Sequence, residues 1–70
     1  MMDKELLFYQ TAVLTVALGE ALELAGNVVR NIEKSPVQNQ KAVSDARGIQ
    51  SSIRGIIVFL EDFKGRVLDE

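Results

Sequence analysis

The chain predicts an all-α fold: an antiparallel two-helix hairpin that completes a four-helix bundle as a homodimer. Three observations carry this reading. Apolar residues recur at steps of three and four through both halves of the 70-residue sequence, the spacing of helices that pack along a seam. A single Ser-Pro break, Ser35-Pro36, separates the halves. The stretch from Leu6 to Leu18 carries no charge and is apolar on every side of a helix, which is more surface than one neighbouring helix covers.

The first helix is expected over about residues 3–34, with Asp3 as its N-cap and Lys34 suiting its C-terminus. One stripe runs Leu7, Thr11, Leu14, Leu18, Ala21, Ala25, Val28 and Ile32, alternating steps of four and three. A second stripe lies about 100° around the helix and comprises Phe8, Ala12, Thr15, Gly19, Leu22, Gly26 and Val29. The first is assigned to the partner helix of the hairpin. The second is assigned to another chain, with Gly19 and Gly26 letting a neighbouring backbone come close.

The turn is expected at residues 34–36, because Ser35-Pro36-Val37-Gln38 fits an S-x-x-Q capping box with proline at the first helical position. So short a link makes the two helices antiparallel neighbours.

The second helix is expected over about residues 36–68, and residues 1–70 form a single domain. Its stripe runs Asn39, Ala42, Ala46, Ile49, Ile53, Ile56, Leu60, Phe63 and Val67. Ile56 to Leu60 alone would suit a strand, but the heptad phase on both sides decides for helix. Folding about Ser35 pairs Val28 with Ala42, Ala25 with Ala46, Leu18 with Ile53 and Leu7 with Phe63, and sets Arg47 level with Glu23. Val58 and Phe59 fall outside that seam and join the partner-facing surface, with Leu6, Val13 and Leu24 as secondary contributors.

Composition narrows the chemistry. The chain has no cysteine and no histidine, so no disulfide braces it, and small unbraced chains commonly oligomerise instead. Phosphate-binding glycine loops and nucleophile elbows are missing from the sequence. Glu20 and Glu23 share a helix side, but a bundle di-metal site adds Glu-x-x-His. No catalytic, cofactor or metal site is therefore expected. The formal charge of −2 argues against broad binding to nucleic acids or anionic membranes. Thr11 to Leu18 resembles a signal-peptide core, yet its n-region lacks a positive excess, and Glu20 and Glu23 interrupt any bilayer span. A cytoplasmic protein off the membrane is expected.

The functional expectation is a non-enzymatic protein–protein interaction module, a small adaptor, regulator or chaperone, assembled as a homodimer, a higher homo-oligomer or with a hetero-partner helix. Its expected interface is Phe8, Thr15, Gly19, Leu22, Gly26, Val29, Val58 and Phe59. The alternative is a nucleic-acid-binding hairpin dimer. It rests on the repeat Arg47-Gly48-Ile49 and Arg54-Gly55-Ile56, which places Arg47 and Arg54 on one side of the helix with Lys41 extending it.

Overall fold

The computed structural model describes residues 3–36 and 39–68. Two helices, α1 (Lys4–Glu33) and α2 (Gln40–Leu68), pack along each other as a hairpin, and no strand occurs among the described residues. Asp3 caps α1, its side chain accepting from the Leu6 amide at 3.1 Å. At the other end the Lys34 amide donates to the Arg30 carbonyl at 3.0 Å and the Ser35 amide to the Ile32 carbonyl at 3.1 Å. These bonds satisfy carbonyls that the ending helix would leave unpaired.

α2 starts later than the expected residue 36. Its N-cap is Asn39, whose side-chain oxygen accepts from the Ala42 amide at 3.1 Å. Asparagine caps a helix as well as serine does, and the Ser35 amide is already engaged in closing α1. Val37 and Gln38, and with them the glutamine end of the expected capping box, lie outside the described residues.

A longer connection slides α2 along α1, and the side chains record the slide. Arg47 pairs with Glu33 at 2.6 Å, not with Glu23, and a Cβ built on Gly26 would lie 3.5 Å from the Gln50 side-chain nitrogen. Both helices have also turned relative to the expected seam. Among the buried and half-buried side chains, Thr11, Thr15, Leu18, Leu22, Ala25, Val29 and Ile32 form one row on α1 and Val43, Ala46, Gln50, Ile53, Ile57, Leu60, Lys64 and Val67 one row on α2, with Leu7, Ala21, Ala42 and Phe63 of the expected seam half-buried beside them. Each row alternates threes and fours without a slip, so these are the a and d positions of the real seam. Leu14, Val28, Ile49 and Ile56, expected inside, lie 47%, 49%, 58% and 52% exposed.

The polar members of the seam are accommodated locally. Thr11 is buried, and its hydroxyl donates to the Phe8 carbonyl at 3.0 Å; the Thr15 hydroxyl donates to the Thr11 carbonyl at 2.8 Å. Neither hydroxyl needs a partner from α2. Lys64 keeps its ammonium 4.0 Å from Glu61 while its stem lies along the seam.

Such a rod keeps little of itself dry. Its radius of gyration is 16.1 Å, where a compact 70-residue domain has about 11 Å. It exposes 5477 Å², against about 4,300 Å² for a compact monomer of 7.7 kDa. Only Ala25, Val29, Ala46 and Leu60 form a buried apolar core among the described residues.

Two substitutions test this local account. Asn39→Ala removes the α2 cap and should cost about 1 kcal/mol in urea unfolding. Gly48→Ala should add up to about 1 kcal/mol, since nothing in the hairpin lies within 4 Å of a Cβ there.

Candidate functional site

Written as heptads, the structure sorts the residues beside the seam onto two flanks. One flank of each seam holds the e positions: Glu5, Ala12, Gly19, Gly26 and Glu33 on α1, with Gln40, Arg47, Arg54, Glu61 and Leu68 on α2. The other holds the g positions: Leu7, Leu14, Ala21 and Val28 on α1, with Ala42, Ile49, Ile56 and Phe63 on α2. An antiparallel pair is related by a two-fold axis through its face, which keeps like flanks together. The Arg47–Glu33 ion pair joins e to e, so the g rows share the opposite face.

The two faces differ in chemistry. On the e face, Glu33, Gln40, Val43, Ser44 and Arg47 line an open groove near the turn, and glycines occupy the middle of α1. The g face is apolar along its whole length. Four of its residues are the exposed Leu14, Val28, Ile49 and Ile56, and the other four, Leu7, Ala21, Ala42 and Phe63, are half-buried. Leu24 and Phe59 continue it outward on the adjoining c positions.

The interface expected from the sequence is divided by this arrangement. Gly26 and Val29 are buried, and Thr15 and Leu22 half-buried, all four turned toward α2; they complete the hairpin and are not presented to a partner. The reason is the phase of the seam, which falls between the two stripes that the sequence offers. Gly19 remains exposed on the e face with open space around it. Phe8 is exposed at the open end, and Val58 and Phe59 are exposed on the outer side of α2, at 69% and 68%.

A further apolar trough on the back of α1 is lined by Tyr9, Ala12, Val13, Val16, Ala17 and Glu20. By length and composition α1 is apolar enough to cross a bilayer, with only 11% of its most apolar 18-residue window buried.

The proposed cationic face is largely neutralised. Lys41 pairs with Asp45 at 3.0 Å and Arg47 with Glu33 at 2.6 Å, and Arg54 alone of the three has no ion-pair partner among the described residues. A phosphate would have to displace two carboxylates to engage all three cations.

No protein-family model matches the chain, nor does any curated protein or solved structure.

The Arg47–Glu33 pair should behave as an exposed contact. A double-mutant cycle on Arg47→Ala and Glu33→Ala is expected to give a coupling of about 0.2–1 kcal/mol that shrinks in high salt.

Proposed function

We propose that the chain is a non-enzymatic protein–protein interaction module, a small adaptor, regulator or chaperone, that acts as part of an oligomeric helical bundle. The observation that carries this reading is the uncovered apolar face of a two-helix rod. Monomeric proteins seldom expose contiguous apolar patches beyond a few hundred Å² unless something binds there. The hairpin has about 1,100 Å² more surface than a compact monomer of its mass, while one side of an ordinary stable interface is about 800 Å².

The composition supports the same reading from the side of chemistry. With no histidine or cysteine, the chain supplies neither a thiolate nucleophile nor an imidazole base or ligand. The concavities along the rod are open grooves, unlike the enclosed pockets that hold small substrates.

Partition of the intact hairpin into a bilayer is disfavoured by α2. Beside the apolar first half of α1 it carries Glu61, Asp62, Lys64 and Arg66, charges that are costly in hydrocarbon. We propose that the module works off the membrane, in the cytoplasm.

Light scattering on a sizing column, with circular dichroism alongside, tests the proposal. The expected result is a strongly helical species of twice the chain mass or more, dissociating only on dilution. A well-folded monomer at millimolar concentration that also binds no other protein would contradict it.

A further inference from the structure

We draw no further inference here: the strongest candidate, the exposed apolar face that Leu14, Val28, Ile49 and Ile56 form along one side of the hairpin, is an unpartnered surface, and nothing in the structure shows what covers it.

Discussion

A helix that is apolar over more than one stripe cannot be satisfied by one neighbour, and the arrangement of this chain follows from that constraint. Two helices in contact cover the a and d positions of each other and little else. Here both carry aliphatic side chains on the g positions as well, and the hairpin geometry brings the two g rows to the same face. The hairpin thus leaves a broad apolar face on its surface. Its buried apolar interior is small, four residues among those described.

The seam is built with modest means for the same reason. Threonine hydroxyls bond back to their own helix, Gln50 lies beside a glycine that leaves it room, and Lys64 extends its ammonium toward Glu61. None of these is a strong stabiliser. The surface ion pairs add little, since each lies in water with its partners largely exposed. The internal contacts of the hairpin are therefore modest, and under the proposed function burial of the exposed apolar face adds to them.

Much of this was legible in the residues, and the part that was not has a physical cause. The two helices, the N-cap at Asp3 and the break near Ser35 follow from spacing and local chemistry. The start of α2 was misplaced because two adjacent capping signals, Ser35 and Asn39, compete, and periodicity does not arbitrate between them. The phase of the seam was misplaced because the most apolar stripe looks like the core. In a helix with two neighbours the apolar band spans a, d and g, and its densest line of large side chains runs along d and g. Gln50 and Lys64 concealed the a row on α2. The rotation moved Gly26 and Val29 inward and Ile49 and Ile56 outward, so the aliphatic surface stayed large but changed its residues.

The isoleucine methyl groups report on this account directly, because the four central isoleucines of α2 divide between the two roles. Selective methyl labelling with a soluble paramagnetic probe measures the exposure of each across a dilution series. The account predicts that Ile53 and Ile57 stay shielded at every concentration, while Ile49 and Ile56 are shielded in the assembled state and become exposed together on dissociation. Ile49 and Ile56 shielded in the folded monomer, with Ile57 exposed, would contradict it.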